Sequence, residues 1–127
     1  MTINLPRIIQ SYVDASNRHD VNTILACFSD NAVAHDEGET LHGKKAIEDW
    51  ITRTIEKYKF QFKPLSIKDD PAEIVIAVEV SGTFDGSPIT LDYHFTIESD
   101  KIVSLTIVVA KHDTPSEAFS SPTRRRD

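Results

Sequence analysis

Ile89-Thr90-Leu91-Asp92-Tyr93-His94-Phe95-Thr96-Ile97 alternates apolar and polar residues without a break. A period of two puts Ile89, Leu91, Tyr93, Phe95 and Ile97 on one face of a strand and Thr90, Asp92, His94 and Thr96 on the other. Upstream, Ile74, Ile76, Val78, Val80 and Phe84 repeat the pattern, and Asp85-Gly86-Ser87-Pro88 between the two stretches is a hairpin signal. Downstream, Glu98-Ser99-Asp100-Lys101 turns the chain into residues 102–110, which are apolar on both faces apart from Ser104 and Thr106. Such a strand is central and covered on both sides. A further strand starts at Phe60 and runs toward Ile67, with Pro64 marking an edge or a bulge. Lys68-Asp69-Asp70-Pro71 turns it back, so about four strands form an antiparallel meander.

Before Phe60 the period is helical. Leu5, Ile8, Ile9, Tyr12 and Val13 share one face of a first helix, with Asn4 able to cap it and Pro6 in its first turn. Asp20 caps a second, with Val21, Ile24, Leu25 and Phe28 on one face and Ser29-Asp30-Asn31 closing it. A third, over residues 44–58, turns Ile47, Trp50, Ile51, Thr54, Ile55 and Tyr58 inward and Glu48, Asp49, Arg53, Glu56 and Lys57 outward. It would run roughly 22 Å. Between the second and third helices, Ala32-Val33-Ala34 is a short strand ending at Asp36, and residues 35–43 are a polar connector.

Helices followed by a meander define an α+β domain, with three helices on one face of a twisted antiparallel sheet. A long helix and a curved sheet diverge, which leaves a cone-shaped cavity for a small ligand.

Composition sets the bounds. The 127 residues suit one domain, expected over residues 1–112, followed by a flexible tail over 113–127 rich in Pro, Ser and Thr. A net charge of −6 argues against non-specific nucleic-acid binding, and Arg124, Arg125 and Arg126 read as a solvated tail. No apolar run approaches a membrane span and no signal-peptide pattern opens the chain, so we expect no membrane partner and a cytoplasmic location. Cys27 has no internal cysteine to pair with. The five histidines do not converge and no pair has helical ligand spacing, so no metal is expected. No glycine-rich phosphate loop or nucleophile elbow is present either, and no cofactor is expected.

The candidate chemistry centres on Asp36. A carboxylate at the end of a strand, flanked by apolar helices, is placed for proton transfer in a pocket. Read blandly, the same stretch is a solvated connector. Tyr12 and Tyr93 both point to the apolar side of their elements, where their hydroxyls need partners. An apolar wall of Phe28, Trp50, Leu105 and Val109 would hold a substrate and, by desolvating Asp36, make it a better base.

Three segments carry a family resemblance: Tyr12-Val13-Asp14-Ala15-Ser16-Asn17-Arg18-His19-Asp20; Phe28-Ser29-Asp30-Asn31-Ala32-Val33-Ala34-His35-Asp36 with Gly43 and Ala46-Ile47; and Tyr93-His94-Phe95 leading to Lys101-Ile102-Val103. In this order and spacing, over roughly residues 5 to 112, the chain resembles the cone-shaped nuclear-transport-factor-2-like (NTF2-like) fold. Within it, the motifs resemble the SnoaL-like polyketide cyclase and ketosteroid isomerase branch. The resemblance implies Asp36 as the general base and Tyr12 as a hydrogen-bond donor to a developing oxyanion. Tyr93 stands where the isomerase has a protonated aspartic acid, and a neutral phenol can make the same donation.

The chain is thus expected to be a small-molecule pocket protein with a hydrophobic ligand, acting as a cofactor-free isomerase or cyclase through an enolate. The alternative is a non-catalytic ligand-binding or dimeric interaction module. An epoxide hydrolase ranks lower, because it needs carboxylates with an arginine, and Arg7 and Arg18 flank the Tyr12 helix away from its inner face. Helices can cover one side of the sheet only, so a homodimer is expected through the outer face, where Thr90, Asp92, His94, Ser104 and Thr106 mix with Ile102 and Val108.

Overall fold

In the computed structural model, which describes residues 4–36 and 38–110, every element after Phe60 is a strand, whereas three helices and two strands precede it. The order is α1 (Arg7–Asn17), α2 (Val21–Ala26), β1 (Phe28–Asp36), β2 (Glu39–His42), α3 (Gly43–Tyr58), β3 (Gln61–Asp69), β4 (Ile74–Ser81), β5 (Ile89–Glu98) and β6 (Lys101–Val109). The tail expected over 113–127 lies outside the described residues.

One six-stranded sheet has the order β2-β1-β6-β5-β4-β3. All neighbours are antiparallel except β1 and β6, which run parallel. β6 sits inside the sheet between β1 and β5, in keeping with its two apolar faces. Pro64 lies on the edge strand β3 beside a register shift between Pro64 and Ser66, where its missing N–H is tolerated. The curved sheet with its helices is the α+β, cone-shaped, NTF2-like architecture expected from the sequence.

Local chemistry sets the helix ends. Asp20 caps α2, accepting from the Thr23 N–H at 3.2 Å and from the Thr23 hydroxyl at 2.7 Å. α3 stops at Lys59, which takes a left-handed φ of 48°. The Thr83 N–H donates to the Tyr58 carbonyl at 2.8 Å, tying the β4–β5 hairpin to the end of α3.

Four expectations need correction. Pro6, not Asn4, occupies the first helix's N-cap, and no side chain caps there. The second helix ends at Ala26, because the Cys27 carbonyl accepts from the Ile102 N–H at 2.8 Å and draws the chain into the sheet. Phe28, Ser29, Asp30 and Asn31 therefore begin β1. The polar stretch 35–43 is largely a hairpin: Asp36 pairs with Glu39, His35 with Thr40, Ala34 with Leu41 and Val33 with His42. Gly38, at φ 79°, makes the tight reversal. Finally, a register shift between Thr96 and Ile97 rotates Ile102 into the core, where it is fully buried, so it is not part of the outer face.

Tyr12 is the hub of the aromatic core. Its ring centroid lies 5.6 Å from that of Phe95, 6.0 Å from Phe28 and 6.4 Å from Phe62 and Tyr93.

Candidate functional site

Between α3 and the inner face of the sheet lies a cavity of about 630 Å³. Tyr12 reaches it from α1, Asp36 from the end of β1, Trp50 from α3 and Tyr93 from β5. Asp36 faces inward because it follows Ala32 and Ala34, both fully buried, at steps of two along β1. It is half-buried, and its Oδ2 accepts a hydrogen bond from Trp50 Nε1 at 3.0 Å. Trp50 is buried, so its indole N–H needs such a partner.

Burial raises the Tyr12 phenol far above its ordinary value, and the neighbouring charges of Asp36 and Cys27 push the same way. Tyr93 is raised by burial too, with Tyr12 and Asp36 adding to it. Both phenols stay protonated at neutral pH and can act as hydrogen-bond donors.

Other candidates fall differently. Val109 lines the rim of the cavity and is 46% exposed. Phe28 and Leu105 are fully buried in the core and are not part of the lining. They stand behind the site rather than in it: Phe28 packs edge-on against Tyr12.

Sequence patterning missed a second cavity of about 440 Å³. It shares Asp36, Trp50, Thr54 and Tyr58 with the first and adds Glu39, Arg53, Glu56 and Lys57. Arg53 Nη2 lies 3.5 Å from Glu39 Oε2 across this polar vestibule. The signal was present in the sequence, since Glu39 lies opposite Asp36 once residues 35–43 are paired as a hairpin. Arg18 is turned to Asp20, 3.8 Å away, and among the described residues no arginine lines the larger cavity.

His19 contacts the Phe60 carbonyl, His35 the Thr40 hydroxyl and His94 the Glu73 carboxylate. Among the described residues no three His, Cys, Asp or Glu side chains gather as metal ligands. Among the same residues no helix is long and apolar enough to cross a membrane.

A protein of this architecture, with a carboxylate and two phenols opening on an apolar cavity, falls within the NTF2-like class. Residues 9–105 match the SnoaL-like domain family, and the chain belongs to that family. A candidate polyketide cyclase from Sinorhizobium meliloti is 35% identical, covers 81% of this chain and 94% of its own, and superposes with a TM-score of 0.79. A Catenulispora acidiphila protein with a ketosteroid isomerase-like fold, solved with trimethylamine, is 16% identical over 87% of this chain and 90% of its own, with a TM-score of 0.75. An LEH-like epoxide hydrolase from M. tuberculosis is 16% identical over 84% and 83%, with a TM-score of 0.69. The last two show likeness of fold alone. No curated protein matches the sequence.

Proposed function

We propose that this SnoaL-like chain binds a hydrophobic carbonyl compound and isomerises or cyclises it through an enolate, without a cofactor. Asp36 removes the proton next to the carbonyl, and Tyr12 and Tyr93 donate to the oxygen on which charge collects. The observation that supports this most is the grouping of one carboxylate and two protonated phenols on the wall of a single apolar cavity. Trp50 supports it further, because a base must be held in one rotamer to be effective. Phe28 and Leu105 back the wall instead of touching the substrate, and Phe28 packs edge-on against Tyr12.

The test has two stages. Native mass spectrometry of the purified protein identifies what the cavity carries, and related ketones are then incubated in D2O. Deuterium uptake at the carbon next to the carbonyl, lost in Asp36→Asn, is the expected result. A fully active Asp36→Asn protein would exclude the base assignment. A non-catalytic binding module keeps the cavity but shows no exchange with any bound ketone, and there the Trp50–Asp36 bond serves only to join helix to sheet.

A second copy of the chain is the partner we infer for the outer sheet face. Val108 is 45% exposed and pairs with Asp92, in a face that also carries Thr90, His94 and Thr106, and it borders the chamber's rim as well.

A further inference from the structure

The chamber that holds Asp36 has an unusual balance of charge. Two of its lining residues are ionisable at neutral pH, Asp36 and Asp85, and both are acids. No lysine, arginine or histidine lines it among the described residues. Tyr12 and Tyr93 bring two phenol donors to it, while its two aliphatic hydroxyls, Ser16 and Thr54, present acceptors. Ser16 Oγ already donates to the Tyr12 carbonyl at 2.7 Å, and Thr54 Oγ1 to the Ile51 carbonyl at 3.0 Å, so each presents lone pairs to a ligand. The Trp50 N–H is directed at Asp36 itself. The rest of the wall is strongly aromatic: Trp50, Tyr58, Phe60, Phe62 and Phe84 join Tyr12 and Tyr93.

Aromatic π-systems and carboxylates attract the same kind of charge. A cation within about 6 Å of a ring gains roughly 0.5–2 kcal/mol depending on its desolvation. We propose that the chamber selects organic cations: a tertiary or quaternary ammonium on an apolar body, with the charge seated beside Asp36. A metal ion or primary ammonium would forfeit strong hydration on entering so apolar a space, whereas a methylated onium forfeits little. Asp85 stands exposed at the rim of the chamber, on the β4–β5 turn, where it attracts the incoming charge.

Arg53 and Lys57 lie in the outer vestibule, which Asp36 also lines; Arg53 is 3.5 Å from Glu39, and Glu56 lies beside them. Lys57 Nζ is 5.1 Å from the Tyr58 ring centroid, so one of the chamber's own rings already attracts an ammonium. Selection by charge holds whether or not the bound ligand is turned over.

Three probes of similar size test it by calorimetric titration of the full chain: benzyltrimethylammonium, its uncharged isostere neopentylbenzene, and phenylacetate, all in the same cosolvent. The cation is expected to bind about tenfold more tightly than the isostere, and phenylacetate more weakly than either. In Asp36→Asn the advantage of the cation should fall to about threefold or less, with the isostere unchanged. Asp85→Asn, at the exposed rim, should lower the cation's advantage by a smaller factor and guards against a folding defect in the first variant. An isostere that binds as well as the cation overturns the proposal, as does a cation advantage that survives both substitutions. Neither result bears on deuterium exchange at a ketone, so the enolate reading stands or falls separately.

Discussion

Trp50 Nε1 lies 3.0 Å from Asp36 Oδ2, and this one bond joins the middle of α3 to the last residue of β1. The carboxylate is therefore aimed by a helix that belongs to neither its strand nor its sheet. Trp50→Phe keeps an aromatic ring and removes the donor. It should cost about 2–4 kcal/mol of stability, from the lost hydrogen bond to a charged group and the lost ring volume. Urea denaturation measures the loss. Turnover of an identified ketone should fall mainly in kcat, since the base loses its fixed orientation while the chamber remains.

Asp36→Asn should abolish exchange while preserving the fold, because the amide keeps the shape and can still accept from Trp50. Tyr12→Phe and Tyr93→Phe should each be milder, by about 10²-fold in kcat, because one donor remains. Rate measurements on the three variants at matched folded fraction separate these roles.

Alkaline pH should unfold the protein through its buried phenols. Tyr12 and Tyr93 are both raised above the ordinary value of 10.0, so the native state holds protons that the unfolded chain releases. Stability should be at its full value below about pH 10 and decline as pH rises above that value. Denaturation midpoints between pH 8 and 11 give the slope, and it should flatten in Tyr12→Phe.

Leu105→Ala should cost about 2–5 kcal/mol, the usual range for a cavity at a fully buried leucine. Affinity for a chamber ligand should change little, since Leu105 is behind the wall. A large loss of affinity at unchanged folded fraction would put Leu105 back among the binding residues.

Val108→Lys places a charge on the exposed outer face. Light scattering should report weaker self-association; Val108 also borders the chamber, so ligand affinity should fall by a smaller factor alongside it. A wild-type protein that is monomeric at high concentration would count against the dimer.

Most of the fold was legible because burial is written as periodicity. The apolar residues of β5, from Ile89 to Ile97, alternate along the sequence, although Thr90 on the opposite face is buried too, and the buried residues of α3 follow the helical spacing. What escaped was structure carried by the backbone. β2 is a four-residue edge strand with three exposed side chains, so it leaves no apolar alternation to detect. Val21, Ile24, Leu25 and Phe28 fit a helical face, yet Phe28 joins the sheet through a pairing with Ile102 that no local pattern encodes. In the site, Tyr12 and Tyr93 could be oriented from their periods, whereas the Trp50–Asp36 bond depends on where α3 crosses β1. Phe28 and Leu105 read as lining because an inward face does not distinguish a cavity wall from the layer beneath it.

The parallel pairing of β1 with β6 has a kinetic consequence. The meander from β3 to β6 closes through neighbouring strands and can form early from short-range contacts. The carboxylate belongs to β1, which joins that meander only through β6, across a sequence separation of about seventy residues. Of the aromatic wall, Phe62 and Tyr93 belong to the meander, whereas Tyr12, Trp50 and Tyr58 come from helices α1 and α3. Contact order therefore makes the β1–β6 pairing, which carries Asp36, the slowest contact of the sheet to close, and the carboxylate's place on the cavity wall depends on it.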